Sequence, residues 1–344
     1  MTWTAPQLPT LDPTLAAELR RLIDAKAKPP GALGRLEELA VQLGVVQGRL
    51  DPRADEAVVL LFAGDHGLTA EGVSAYPSEV TAAMVQLILD GRASVNALAR
   101  AADVRVQVID AGVAADLPAH PSLLQAKVRA GTRNAAREPA MTPEECAAAL
   151  ACGASAARAA ADAGAELIAL GEMGIGNTAS ASLLLHRLGA ADLEACVGLG
   201  AGHDAEGLMR KRRALATAAA RSDAAAPFEV LRQFGGLEIA AMAGAALAAA
   251  EARRLVVVDG FIASAAALVA IRMRPELFDF CVFAHASAER GHALLLERLG
   301  ASPILQLGMR LGEGTGAVLA VPILRAAANM VREVASLAEV LGGP

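Results

Sequence analysis

Six short runs of β-branched and aliphatic residues recur along the chain, each closed by a polar or glycine-rich turn. They are Val58–Phe62 before Gly64-Asp65-His66-Gly67, Val104–Ile109 before Asp110-Ala111-Gly112, and Glu166–Leu170 before Gly171-Glu172-Met173-Gly174. Cys196-Val197 before Gly198-Leu199-Gly200-Ala201-Gly202, Leu255–Val258 before Asp259-Gly260, and Phe280–Phe283 before His285-Ala286-Ser287 complete the set. Between them lie alanine-rich stretches with helical spacing, at 78–101, 142–163, 178–188, 205–221, 237–252, 260–273 and 288–299. Such alternation predicts an α/β fold with a doubly wound, mainly parallel, Rossmann-like sheet. Ligands of that architecture sit outside the carboxyl ends of the strands, which is where all six polar turns fall. They are therefore expected to surround one crevice.

The ends of the chain read differently. Residues 13–48 form two helices broken by Lys28-Pro29-Pro30-Gly31, and 316–340 a final long helix or pair, with no strand between these and their neighbours. The expectation is a parallel-sheet domain over 55–310 and a small helical domain built from 1–50 plus 316–344, packed over the crevice. The segment 113–141, with Pro118, Pro121 and Pro139, is expected to be an irregular excursion.

Composition removes several classes of function. Hydrophobic residues make up 54% of the 344 residues but aromatics only 3%, which suits small-residue helices packed on a sheet and not a stacking surface for bases. The net charge of −6 argues against a nucleic-acid partner, and the Arg210-Lys211-Arg212-Arg213 cluster reads as a solvated helix face. The longest apolar runs, such as Ile239–Ala250, are shorter than the roughly 18 residues of a membrane span, and the amino terminus shows no secretory pattern. Four scattered cysteines without a CxxC pair fit a reducing cytoplasm and suggest neither a disulfide framework nor a zinc site.

Chemistry concentrates in a few turns. Gly171-Glu172-Met173-Gly174-Ile175-Gly176-Asn177-Thr178 joins a strand to a helix, so it is either a tight structural turn or a cradle for a phosphate at the helix amino end. It is neither the GxGxxG fingerprint nor a Walker loop. Leu311-Gly312-Glu313-Gly314-Thr315-Gly316 sets a carboxylate between glycines before an apolar helix. A helix-capping glutamate is one reading; an open, ionised base held at a helix amino end is the other, and three glycines in five positions exceed what a cap requires. In Gly64-Asp65-His66-Gly67, Asp65 is expected to organise the turn, while His66 reads equally as a structural or a functional histidine; no nucleophile elbow accompanies it. His285 and His292 fit no metal motif, and a phosphate or sugar contact from Ser287 and the Gly291 region is more credible. Lys211 is the best candidate for a cation facing the crevice, although spacing alone makes it a surface lysine.

Together these segments resemble the nicotinate-nucleotide–dimethylbenzimidazole phosphoribosyltransferases. The matching stretches are Lys28–Glu37, Phe62–Gly67, Val73–Pro77 with Val80-Thr81, Gly171–Thr178, Asp259-Gly260-Phe261 and Met309–Gly316, in order over about residues 28–330. The resemblance implies a homodimer that transfers the phosphoribosyl group of nicotinate mononucleotide to a benzimidazole, with inversion at the anomeric carbon and with no metal or cofactor. It implies Glu313 as the general base that takes the azole N–H proton, and Glu172 as an active-site carboxylate near the ribose. It also implies nucleotide-binding positions at Gly174, Gly176, Asn177, Lys211, Ser287, Gly291 and Gly314, and a base pocket at Tyr76, Met84 and Leu311. The chain departs from the family at Ala83, where many relatives carry Gln, at the variable Tyr76 and at His203, expected at the crevice rim. Transfer to another base or a phenol, or nucleotide binding without catalysis, would use the same crevice. An NAD-dependent oxidoreductase is disfavoured by the missing GxGxxG and ribose-binding acid.

Overall fold

The computed structural model describes residues 3–198, 202 and 204–342. His203 lies outside the described residues, as do 199–201 of the glycine-rich turn before it. From the amino terminus, α1 (Pro13–Asp24) and α2 (Arg35–Gln47) lead into β1 (Ala57–Gly64), then α3 (Val80–Leu89), α4 (Ser94–Ala102), β2 (Arg105–Gly112) and the short β3 (Leu123–Gln125). Next come α5 (Pro143–Asp162), β4 (Leu167–Met173), α6 (Asn177–Leu188), α7 (Leu193–Cys196), α8 (Ala205–Ala220), α9 (Pro227–Phe234) and α10 (Leu237–Glu251). The chain ends through β5 (Leu255–Val258), α11 (Phe261–Met273), β6 (Cys281–Phe283), α12 (Arg290–Leu299), α13 (Thr315–Glu333) and α14 (Leu337–Val340).

Among the described residues the strands form one six-stranded parallel sheet in the order β3-β2-β1-β4-β5-β6. Every residue of β1 is buried, as expected of a strand covered by helices on both faces. The order reverses between β1 and β4, and the crevice of a doubly wound sheet opens at such a reversal. Register there pairs Phe62 with Glu172 and Ala63 with Met173, so Glu172 and the Asp65-His66 turn emerge side by side.

Small residues set how close the layers come. At Gly153 of α5 a Cβ would lie 1.7 Å from the carbonyl oxygen of Ala241 in α10, and at Gly244 of α10 one would lie 2.0 Å from the carbonyl oxygen of Leu150. The two helices therefore meet backbone to backbone. Buried from Leu237 to Ala250, α10 is apolar all round because every side of it is covered. No helix among the described residues is long and apolar enough to cross a membrane. The helices of the two ends meet, α13 lying against α2 and α4 and along β1, β4 and β5.

Three local expectations are corrected. Cys196 ends the single-turn α7 and Val197 follows outside any strand; Asp192 caps that turn with its carboxylate on the N–H groups of Glu194 and Ala195. Two apolar residues were too short a run to tell strand from turn. The irregular 113–141 contains β3, which pairs with β2 at the sheet edge, so three ladder positions suffice where the flanking prolines forbid more. The stretch 78–101 is two helices, broken at Asp90-Gly91-Arg92 where Gly91 adopts φ +73°. The short α9 was not anticipated at all.

Candidate active site

At the carboxyl edge of β1, β4 and β5 lies a cavity of about 410 Å³. Of the residues proposed from sequence, Tyr76, Met84, Glu172, Gly174, Gly176, Asn177, Ser287, Leu311 and Glu313 all line it. A larger cavity, of about 710 Å³, opens between α1, α2 and β6, away from these groups. Size is therefore no guide here: the smaller cavity holds the converging polar groups.

Glu313 owes its position to an unusual backbone. Gly312, Glu313 and Gly314 all have positive φ, at +87°, +61° and +79°. Such a conformation costs a non-glycine residue on the order of 1–2 kcal/mol, so the surroundings must hold it. They do. Asp259, just beyond β5, accepts from the N–H groups of Gly314 at 3.2 Å and Ala317 at 2.8 Å, and so caps α13. A helix-capping carboxylate therefore exists, but it is Asp259, which frees Glu313 for the cavity. The Glu313 carboxylate instead accepts from Val95 N–H, in the first turn of α4, at 3.3 Å. Sequence reading expected a helix amino end to favour its ionised form. Burial outweighs that N–H, and with Asp259 nearby it raises the Glu313 pKa above the ordinary glutamate value.

Glu172, the penultimate residue of β4, faces Glu313 across the same turn. A Cβ on Gly312 would sit 2.2 Å from its Oε1, so only a glycine can pass there. Burial, then the charges of Asp259 and Glu238, push the Glu172 pKa up to about 8, against the hydrogen bond it accepts from Asn177 Nδ2. The free protein at neutral pH thus holds Glu172 protonated. Burial thus raises both carboxyl groups of the cavity above the ordinary glutamate value.

The amino end of α6 closes one end of the cavity, and Lys211 lies behind it, outside the lining residues. Gly176, at φ +91°, turns the chain into α6, and Ile175 N–H is tied to Thr81 Oγ1 at 3.1 Å. Lys211 of α8 is fully buried, with its Nζ donating to Thr178 Oγ1 at 2.9 Å. The surface-lysine reading is corrected: the helix turns this face toward α6 and leaves Arg210, on its exposed face, paired with Glu206. Burial lowers the Lys211 pKa to about 8, with only partial relief from Glu289. A buried ammonium beside a helix amino end is an attractor for a phosphate.

Other predicted positions play different parts. Gly291 does not line the cavity; a Cβ there would strike the Cys196 carbonyl oxygen at 2.6 Å and the Phe261 ring at 2.7 Å, so it is a packing glycine. Gly314 lies behind the cavity wall as the donor to Asp259. His292 accepts from Ser287 N–H at 2.9 Å through Nδ1, which leaves Nε2 to Ser264 Oγ at 3.0 Å. Burial lowers its pKa to about 3, so this imidazole is neutral and orients the Ser287 turn. The Asp65 side chain ties its turn to the segment after β2, accepting from Ala114 N–H at 2.8 Å.

Sequence reasoning missed the capping role of Asp259, the cavity-lining His285 and Thr178, and the buried Glu238. Asp259 and His285 did sit at strand ends, which was a usable signal. Glu238, inside an apolar helix, gave one only by being out of place.

The chain is similar throughout its length to proteins of one family. A family described as Phosphoribosyltransferase matches residues 8–340. A nicotinate-nucleotide–dimethylbenzimidazole phosphoribosyltransferase of Cupriavidus taiwanensis is 51% identical over 332 residues, covering 96% of each chain. One of the same name from Ralstonia nicotianae is 54% identical, covering 96% of this chain and 94% of its own. The crystal structure of CobT from Thermus thermophilus superposes with a TM-score of 0.92 at 49% identity, covering 96% of this chain and 99% of that one.

Proposed function

The chain belongs to the nicotinate-nucleotide–dimethylbenzimidazole phosphoribosyltransferase family, and from that premise we propose how its cavity performs the transfer. The enzyme moves the 5-phosphoribosyl group of nicotinate mononucleotide to 5,6-dimethylbenzimidazole, giving α-ribazole 5′-phosphate and nicotinate for the nucleotide loop of cobalamin.

The donor's phosphate goes to Lys211, Thr178 and the α6 amino end. That places the ribose along Gly174, Gly176 and Ser287 and its anomeric carbon near Glu172. The benzimidazole enters between Tyr76, Met84 and Leu311 with one ring N–H toward Glu313. As its other nitrogen bonds to the anomeric carbon, the glycosidic C–N bond breaks and its electron pair neutralises the departing pyridinium. The azole N–H proton passes to the Glu313 carboxylate, so no charge accumulates on the product base. A raised pKa makes Glu313 a better proton acceptor than an ordinary glutamate. The observation that carries this reading is the backbone at Gly312-Glu313-Gly314: three positive φ angles, held by Asp259, present one carboxylate to the cavity.

Glu313→Gln keeps the shape and removes the base. It should lose about 10²–10⁴-fold in kcat with nicotinate mononucleotide and dimethylbenzimidazole, while equilibrium binding of each substrate stays within a fewfold. Near-normal turnover would remove Glu313 from the role.

Assembly as a homodimer in the cytoplasm belongs to the same proposal. Exposed Leu311 at the cavity, Leu307 nearby in sequence, and Leu33, Leu337, Val340 and Leu341 on the terminal segments support a covered surface. The packing of α13 on α2 likewise supports a small helical domain from both ends. Light scattering of the purified enzyme tests the dimer directly.

A further inference from the structure

The Gly64-Asp65-His66-Gly67 turn contains a histidine that the transfer mechanism leaves unused. His66 is buried directly beneath the Gly174–Gly176 loop. Its Nε2 lies 2.6 Å from Oε1 of Glu238, and its Nδ1 lies 3.0 Å from Oγ of Ser180. Both His66 and Glu238 side chains have no solvent exposure. The carboxylate obliges Nε2 to be the donor, which directs Nδ1 to the Ser180 hydroxyl.

A buried imidazole–carboxylate pair is expensive, and glycines make room for this one. One on Gly236 would lie 2.4 Å from His66 Cε1 and 2.5 Å from Glu238 Oε2; one on Gly64 would lie 2.9 Å from the same oxygen. The pair joins three elements: the turn after β1, the start of α10, and the first turn of α6. Ser180 stands only two residues beyond Thr178 and three beyond Asn177. Those two residues hold Lys211 and Glu172 respectively. A small shift of the α6 amino end would therefore misdirect both the phosphate site and the Glu172 hydrogen bond together.

We propose that His66 and Glu238 are a positioning pair, which acts through Ser180 to fix the α6 amino end against the nucleotide. Neither residue touches substrate. The proposal rests on the reading of Lys211 and α6 as the phosphate site given above. It assigns the pair to donor binding and leaves the azole pocket, formed by Tyr76, Met84 and Leu311 on other segments, unaffected.

The test separates the two substrates. Ser180→Ala removes only the link to α6, and Glu238→Gln keeps the hydrogen-bond acceptor while cancelling the charge. Steady-state kinetics of both, with Lys211→Met alongside, should show the KM for nicotinate mononucleotide raised about tenfold or more in each, with the KM for dimethylbenzimidazole unchanged. His66→Gln should follow, but Ser180→Ala is the decisive variant because it leaves the buried pair in place and should fold. A general packing role would instead lower the denaturation midpoint and the concentration of active sites with both KM values unchanged. That outcome, or equal changes in the two KM values, overturns the proposal. If Lys211→Met leaves the nucleotide KM unchanged, the phosphate-site reading has failed, and the positioning role stated through it falls as well. A raised nucleotide KM in Lys211→Met with wild-type kinetics in Ser180→Ala and Glu238→Gln retains the site and removes the pair from it.

Discussion

Lys211 shows how much one residue's environment can matter. A lysine within an Arg-Lys-Arg-Arg run would ordinarily lie in water, yet its side chain is fully buried and donates to Thr178. Burial without a close carboxylate disfavours the ammonium and brings its pKa down to about 8. A phosphate dianion reverses that balance. The sign follows directly: at a pH above 8 the free enzyme holds Lys211 largely neutral, and phosphate binding restores the charge, so a proton is taken up. Ribose 5-phosphate, which carries no pyridinium to disturb Glu172, is the suitable ligand. Titration calorimetry at pH 8.5 in buffers of differing ionisation enthalpy should show net uptake of a fraction of a proton, growing as the pH is raised. Lys211→Met should abolish it and weaken binding about 10–100-fold. Buffer-independent heats in the wild type would contradict a buried, deprotonating Lys211 at the phosphate site.

At the scale of elements, the close approach of α5 and α10 makes an unusual prediction. Glycine in a helix interior is normally destabilising relative to alanine by about 1 kcal/mol. Gly153→Ala should therefore stabilise α5 if only the helix mattered. Here the added methyl would sit 1.7 Å from the Ala241 carbonyl oxygen, backbone that no rotamer change can move. Forcing the helices apart should cost about 2–3 kcal/mol, which outweighs the gain. Urea denaturation with an unchanged m-value but a lower midpoint is the expected result; a higher midpoint would mean that the helices yield easily. The α10 helix lies behind the active-site edge, and Glu238 is part of its first turn. Loosening it should also be felt at the α6 amino end.

Across the whole molecule, the active site is a cost to the fold. Glu172 has its folded pKa raised to about 8 from an ordinary 4.5, so between those values the folded protein holds a proton that the unfolded chain releases. Its contribution is thus fully favourable below pH 4.5 and is lost progressively as pH rises toward 8. Each pH unit in that window costs about 1.4 kcal/mol, or a few kcal/mol in all. Glu172→Gln has no proton to lose. Its stability relative to the wild type should increase from pH 5 to pH 8 and then level off, read from denaturation midpoints across that range. Stability curves that run parallel in pH would show that the Glu172 carboxyl does not resist ionisation. The same variant should lose activity, which separates its catalytic value from its structural cost.

The amino-acid sequence by itself determined the class of fold and the edge of the sheet that carries the chemistry. Short β-branched apolar runs such as Val58–Phe62, bounded by turns, read as strands covered on both faces, and glycine-rich turns after them mark the carboxyl edge. The ordered motifs from Lys28 to Gly316 identified the family and most of the cavity's lining. Tertiary structure decided what depends on distances between remote residues. It made Asp259 the cap of α13 and left Glu313 free. It buried Lys211, and it raised the Glu172 pKa first by burial and then through carboxylates 87 and 66 residues away in sequence, at Asp259 and Glu238. It also joined His66 to Glu238 and to Ser180, across 172 and 114 residues. Local sequence encodes periodicity and turn chemistry, which act over a few residues. Burial and electrostatics act through space, so the protonation and aim of each side chain are settled only once the layers have packed.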